Sequence, residues 1–326
     1  MVNKSNKTGT NNGQKSAPSH EDASMHAFMV APFSEQIPQL RAWGEPPAGL
    51  LILMSACEGQ CFFCAQPVVT NPPLKMVTKW SDISNKLIGN QSIGQKQLLI
   101  GGTEPPTHPY FERTLLLAME SGFESIQLMT SGLQLAHKGT GWWSMGVRSV
   151  CTPMYSHLPE THDSIVGVPG HWAKVVEGLD AAVQLGMDVF VHTLAMSRTL
   201  GHVSTLAKWV HERWGNPLAL APMRPKEELF SFSDESPSLA EVRAIHTDDL
   251  AFVGFPLCVG DPGKSALLTR LYFRSQRRAF GTPCTNCDVR SRCSGVVLGT
   301  LAQFGEKDLH PVMPTSDLFN TPPNRR

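Results

Sequence analysis

From residue 50 to residue 221 the chain alternates short apolar stretches with amphipathic ones, and that rhythm narrows the folds open to it. Residues 50–54, 98–100, 125–129, 147–151, 188–193 and 218–221 have strand length and are rich in apolar side chains. Between them, residues 79–88, 110–121, 172–185 and 205–214 space their apolar positions as helices do, and Gly122, Gly186 and Gly215 stand where helices stop. Ser238-Leu239-Ala240-Glu241 is a capping box that opens a helix after the sixth strand. Six strands with intervening helices predict an α/β fold, a parallel sheet covered by helices. A doubly wound sheet and a barrel or partial barrel both satisfy the pattern. In either, functional groups gather beyond the C-terminal ends of the strands.

The loop after the first strand carries Cys57, Cys61 and Cys64, a C-x3-C-x2-C spacing. Three thiolates on so short a loop are able to hold one face of a cuboid iron–sulfur cluster and leave its fourth iron without a protein ligand. An open coordination position is where chemistry takes place. Histidine does not complete a local zinc site, because the closest in sequence are His26 and His108. A zinc knuckle or three buried thiols is the alternative reading of the spacing alone.

The 326 residues balance 28 basic against 28 acidic side chains, so no global field draws the chain to nucleic acid or to an anionic membrane. No apolar run reaches membrane-spanning length. Residues 1–27 are mostly polar, lack the apolar centre of a signal peptide and read as a disordered tail. A cytoplasmic protein follows, with eight reduced cysteines whose clustering points to metal and not to disulfides.

The motif C-x3-C-x-(aromatic)-C, with Phe63 in the aromatic position, resembles the signature of the radical S-adenosylmethionine (radical SAM) enzymes. The resemblance implies a partial (β/α)6 TIM-type barrel. It also implies a [4Fe–4S] cluster on Cys57, Cys61 and Cys64 whose open iron chelates SAM. Such a cluster cleaves SAM reductively, and the 5′-deoxyadenosyl radical then takes a hydrogen from substrate. Gly101-Gly102-Thr103-Glu104-Pro105 follows the second strand and resembles the family's Gly-Gly-Glu-Pro segment, with Thr103 as an insertion. The resemblance assigns Gly101, Gly102 and Glu104 to the SAM amino group. Thr130-Ser131-Gly132 is similar to the turn that ends the family's third strand, which adds Thr130 to the cofactor-binding set.

Four further positions after strands are candidates. Cys151, near the end of the fourth, is a candidate catalytic hydrogen-atom donor or a small core residue. His192 ends the fifth strand and Arg224 follows the sixth; each is either a cofactor contact or structural. His162-Asp163, with Gly167 and Gly170, is similar to a stretch of SAM-dependent peptide and antibiotic maturases, or is an ordinary loop turn. Gly263-Lys264-Ser265 ends like a phosphate-binding loop but lacks its spacing.

Cys258, Cys284, Cys287 and Cys293 form a second group, sufficient for a zinc tetrahedron or a second [4Fe–4S] cluster. Their surroundings resemble the auxiliary-cluster extension, of the twitch or SPASM type, found in many radical SAM maturases. The expected organisation is a core over residues 46–235, a last helix and auxiliary-cluster domain over 236–315, and a flexible tail over 316–326. The expected reaction is maturation of a ribosomal peptide by crosslinking, epimerisation or oxidation. A small molecule in antibiotic or cofactor assembly is the alternative substrate, and a zinc-binding regulatory module the alternative of another class. Expected partners are a flavodoxin- or ferredoxin-type electron donor and a precursor peptide, with no nucleic acid and no membrane.

Overall fold

The computed structural model describes residues 48–64, 77–92, 94–223, 232–245, 247–259 and 278–312. The expected tails and Arg224 lie outside the described residues. Seven strands form one wholly parallel sheet in chain order: β1 (Ala48–Leu53), β2 (Gln97–Gly102), β3 (Ser125–Met129), β4 (Val147–Pro153), β5 (Asp188–Ala195), β6 (Leu218–Pro222) and β7 (Leu250–Phe252). β1 and β7 are its free edges, so the barrel is partial and does not close. The pairing of β3 with β4 slips between Ile126 and Gln127, a bulge that adds local twist.

The helices are α1 (Trp80–Ser92), α2 (Phe111–Glu120), α3 (Leu135–Ser144), α4 (Pro159–Val166), α5 (His171–Gln184), α6 (Val203–Trp214), α7 (Phe232–Glu235), α8 (Leu239–Arg243) and α9 (Leu298–Phe304). Strand alternation sorts the apolar side chains into two cores. One face of the strands, with Leu53, Ile100, Leu128, Val150, Val191 and Leu220, packs against helix residues such as Ile83, Leu115, Leu179 and Val210. The other face holds Cys151, Phe190, Leu194, Ala219 and Ala221, and Cys61, Phe62 and Phe63 of the cysteine loop pack against it.

The expectation of six strands falls one short: it passes over the apolar run Leu250 to Val253, which carries the three-residue β7. Four helices, α3, α4, α7 and α9, occupy segments where none was expected. α3 runs through Gly139 and Gly141, which weaken the helical pattern, and is held by Leu135 and Trp142, both buried. α4 takes in His162 and Asp163, with Pro159 in its first turn and Gly167 left-handed at its end; the reading in which Asp163 orders the turn and Gly170 precedes the next helix also holds, since the Asp163 carboxylate accepts the Gly170 and Trp172 amides. The capping box at Ser238 and Glu241 is formed, although its helix is only five residues long.

Two glycines make the close approaches on which the site depends. Gly102 has φ 141°, and a Cβ there would fall 1.9 Å from the Leu53 carbonyl oxygen. On α5, a Cβ at Gly178 would lie 2.3 Å from the Gly132 oxygen, so this helix sits against the turn after β3. A two-stranded antiparallel ladder, β8 (Arg278–Ala279) with β9 (Val296–Val297), belongs to the C-terminal cysteine region.

Candidate active site

The cysteine loop leaves β1 and is pinned before it reaches Cys57. The Thr103 hydroxyl donates to the Ser55 carbonyl at 2.9 Å and accepts the Ser55 amide at 2.8 Å. Thr107 adds bonds to the Ala56 carbonyl at 2.8 Å and the Ser55 hydroxyl at 3.1 Å. Thr103, the insertion in the Gly-Gly-Glu-Pro-like segment, therefore fastens the root of the loop. Further along, the Gln60 amide donates to the Val166 carbonyl at 2.8 Å, and the Cys64 amide closes a turn on Cys61 at 3.0 Å.

A Cβ built on Gly59 would lie 3.6 Å from both the Cys57 and the Cys61 sulfur, so the two face one space. Burial pushes the Cys57 thiol up to about 11, helped by the Glu104 carboxyl, and the Cys61 thiol up to about 12, helped by Cys64 and Cys57. Cys57 and Cys61, crowded by a third thiol in a poorly solvated loop, resist ionisation alone; bound iron ions would reverse that balance. The donor set and the shared space fit a thiolate-held iron–sulfur cluster.

Glu104 is buried behind this loop and does not extend free towards a ligand. Its Oε1 accepts the Thr130 hydroxyl and its Oε2 accepts the Ser131 amide at 2.7 Å. Thr130 in turn accepts the Gly132 amide at 3.2 Å. Glu104 and Thr130, both candidates for SAM contact, thus bond to each other and tie the ends of β2 and β3 together. Burial raises the Glu104 carboxyl to about 7 despite those bonds. Gly101 and Gly102 end β2 beside Leu53, leaving backbone as what this edge presents.

Cys151 and His192 point into the interior of the curled sheet, with Cys151 Sγ 3.3 Å from His192 Nδ1. Burial raises the Cys151 thiol and lowers His192 to about 4, so both are neutral near pH 7. Phe63 lies edge-on to Tyr155 at 5.2 Å and to Phe62 at 5.3 Å.

Three residues near the loop went unassigned from sequence. Tyr155 packs in the same interior core as the cysteine loop. His171 pairs with His162, ring nitrogens 2.9 Å apart, while Asp163 caps the start of α5 through the Gly170 amide at 2.5 Å and the Trp172 amide at 2.8 Å. Arg198 stacks over Phe62 at 4.4 Å and is held by Glu235. The aromatic residue between Pro153 and the histidines was the only visible pointer to the first of these.

The second cysteine group also converges. Cys258, Cys284, Cys287 and Cys293 line a small, partly open cavity with Phe280, Arg290 and His310. Cys293 Sγ accepts the Leu257 and Gly295 amides at 3.3 and 3.4 Å, and Cys287 Sγ accepts the Val312 amide at 3.4 Å. Amides aimed at sulfur are the outer support that thiolate ligands use. The thiols surround a space and not a point: among the described residues no three His, Cys, Asp or Glu side chains are arranged to hold a single metal ion.

Residues 51–210 match the radical SAM superfamily. That stretch is a radical SAM domain and the protein is a radical SAM enzyme, which implies a [4Fe–4S] cluster and SAM as its cofactors. Among curated relatives, the GTP 3′,8-cyclases of Brucella canis and Brucella ovis are each 24% identical, covering 89% of this chain and 83% of theirs. Solved structures align over less of their own length. Streptococcus suis SuiB bound to the precursor peptide SuiA matches with TM-score 0.49 and 12% identity over 64% of this chain and 46% of that one. The Escherichia coli coproporphyrinogen III oxidase HemN matches with TM-score 0.44 and 16% identity over 64% and 53%. Among the described residues no helix is long and apolar enough to cross a membrane.

Proposed function

We propose that this radical SAM enzyme acts on a small molecule in cofactor assembly, with a purine nucleoside triphosphate as the substrate class to test first. The observation that carries this reading is the match to GTP 3′,8-cyclases over 89% of this chain and 83% of theirs. The earlier preference for peptide maturation yields to its small-molecule alternative, because its support is a structural likeness at low identity over less than half of SuiB.

The cluster on Cys57, Cys61 and Cys64, with SAM bound, supplies an electron and a carbon-centred radical able to take a hydrogen atom. The protein's own part is positioning and exclusion of water. Thr103 and Thr107 hold the loop root, Gly102 lets β1 and β2 close beneath it, and Glu104 locks the neighbouring turn. Phe190, Leu194, Ala219 and Ala221 give the interior an apolar lining that keeps water away, and the Cys151 thiol on the same face is the hydrogen a radical there would most readily take. We assign Cys258, Cys284, Cys287 and Cys293 to a second [4Fe–4S] cluster, with zinc as the competing occupant, and a flavodoxin- or ferredoxin-type protein to electron supply.

Anaerobically reconstituted, dithionite-reduced enzyme given SAM and GTP should form 5′-deoxyadenosine faster than without GTP, and GTP should be consumed. Two clusters give about eight irons per chain. Cys57, Cys61 and Cys64 replaced together by Ala should abolish cleavage and leave roughly half the iron. SAM cleavage that no nucleoside triphosphate accelerates would move the substrate out of this class. Zinc bound by the triple variant would return the second site to a structural metal.

A further inference from the structure

The four C-terminal thiols come from two parts of the fold. Cys258 sits in the turn that follows β7, where the Val259 amide donates to the Pro256 carbonyl at 2.9 Å. Cys284, Cys287 and Cys293 come from the segment between β8 and β9. Their packing is divided as well. Cys258 and Cys284 lie against the main core, Cys287 and Cys293 against a small one made by Leu257 and Val289. A centre shared by all four needs the two parts held in register.

Amides aim at the sulfurs of Cys287 and Cys293, and Cys284 sits in the tight turn Thr282–Asn286 with its own amide on the Gly281 carbonyl at 3.0 Å. Among the described residues no amide is aimed at the Cys258 sulfur. The Leu257 amide on Cys293 and the Ser294 hydroxyl on the Phe255 carbonyl, at 3.2 Å, hold the β7 turn upstream of Cys258. What holds Cys258 itself is an arginine. Arg243 Nε donates to the Cys258 carbonyl at 2.9 Å, and Nη2 of the same guanidinium donates to the Asp308 carbonyl at 2.7 Å. A planar fork spans two carbonyls in a way that an ammonium does not reproduce.

Both ends of this bridge are anchored. Arg243 ends α8, which Leu239 and Val242 bury in the main core and the Ser238–Glu241 box caps. Beside Asp308, Leu309 is buried in the same core, and the Glu306 carboxylate accepts the Thr282 amide at 3.0 Å. Thr282 opens the turn that carries Cys284. A Cβ at Gly281 would stand 2.6 Å from Leu309 and 2.9 Å from Glu306, so the two segments are in close contact. A continuous path thus runs from Cys258 through Arg243 and residues 306–309 to the Cys284 turn.

We propose that Arg243 is a positioning residue that sets Cys258 as the fourth thiolate of the C-terminal metal centre. The inference rests on the assignment of the four thiols to one centre and holds for iron–sulfur and for zinc. Without the fork, three thiols keep their supports and the fourth corner goes unfilled.

The test uses the full chain with Cys57, Cys61 and Cys64 replaced by Ala, so that only the C-terminal site binds metal. Reconstituted anaerobically, it should hold about four irons and, on mild oxidation, show no EPR signal of a three-iron cluster. Adding Arg243→Met should give that signal and about three irons per chain, with the thermal unfolding of the sheet unchanged. Cys258→Ala should do the same, and the two together should do no more than either alone. Four irons retained in Arg243→Met overturn the proposal, and so does loss of all iron from a folded chain, which would make Arg243 a support of the whole site. If Arg243→Met does not fold, Arg243→Lys decides: a partial three-iron signal supports the assignment and wild-type behaviour overturns it. A parent chain that binds zinc in place of iron refutes the second-cluster reading alone. Arg243 is then judged by sulfur coordination in X-ray absorption, where a fall from four to three supports the proposal and no change overturns it. A parent chain that binds neither metal overturns both.

Discussion

The Val166 carbonyl accepts the Gln60 amide at 2.8 Å, so the thiol-bearing loop hangs on the last turn of α4. That carbonyl is one of the unpaired groups every helix end exposes, and the loop satisfies it. Gly167, just beyond, has φ 74°, and a Cβ there would stand 3.0 Å from Gln60 Cβ and 3.2 Å from the Gln60 oxygen. Gly167→Ala is expected to cost about 1–3 kcal/mol in this left-handed position. Iron analysis and visible absorption should show loss of the first cluster before any unfolding of the sheet.

Thr103→Val keeps shape and removes both bonds to Ser55. Leaving the Ser55 amide and carbonyl unmatched should lower stability by about 1–3 kcal/mol, read by denaturant unfolding under anaerobic conditions. Full stability and iron retention in this variant would show that the inserted threonine does not fasten the loop.

Glu104→Ala strands the Thr130 hydroxyl and the Ser131 amide, and about 2–4 kcal/mol of destabilisation is expected. Glu104→Gln retains an acceptor for one of them and should lose less than half as much. SAM binding should weaken more in Ala than in Gln. Equal loss in both would instead make the carboxylate's charge the important quantity.

Acid should destabilise the protein between pH 6.5 and pH 4.5. His162, His171 and His192, lowered by burial to about 3, 4 and 4, contribute stability that is present above the unfolded value of 6.5 and lost as pH falls. Glu104 acts in the opposite sense: raised by burial to about 7, its contribution is full below 4.5 and lost as pH rises through 7. Three histidines against one carboxyl leave the unfolded state about two protons richer, a slope on the order of 3 kcal/mol per pH unit. Unfolding free energies measured across this range check the slope, and His192→Asn should reduce it to about one proton.

The residues that declare themselves in the sequence are those whose function is local. The Cys57–Cys64 spacing, the glycines after β2 and the Ser238 capping box need only their neighbours in the chain, and the structure forms the turn and the cap as read. Glu104 did not reveal its partners, because Thr130 and Ser131 reach it only through the register of β2 on β3. Tyr155 and His171 were hidden for the same reason: their importance lies in a contact across α4 and α5 that no spacing encodes. α3 was missed because its glycines lower helix propensity, while Trp142 supplies the tertiary packing that overrides it.

The two cysteine groups leave the sheet by its opposite free edges, β1 running into Cys57 and β7 into Cys258, at the same end because every strand is parallel. Their separation is therefore not a property of either loop. It is the gape of the curled sheet, summed over the twist of every strand between them, and the slip at Ile126 and Gln127 is one of its adjusting points. A substitution deep in β3 or β4, remote from both groups of thiols, would retune the gap that any molecule bridging them must fit.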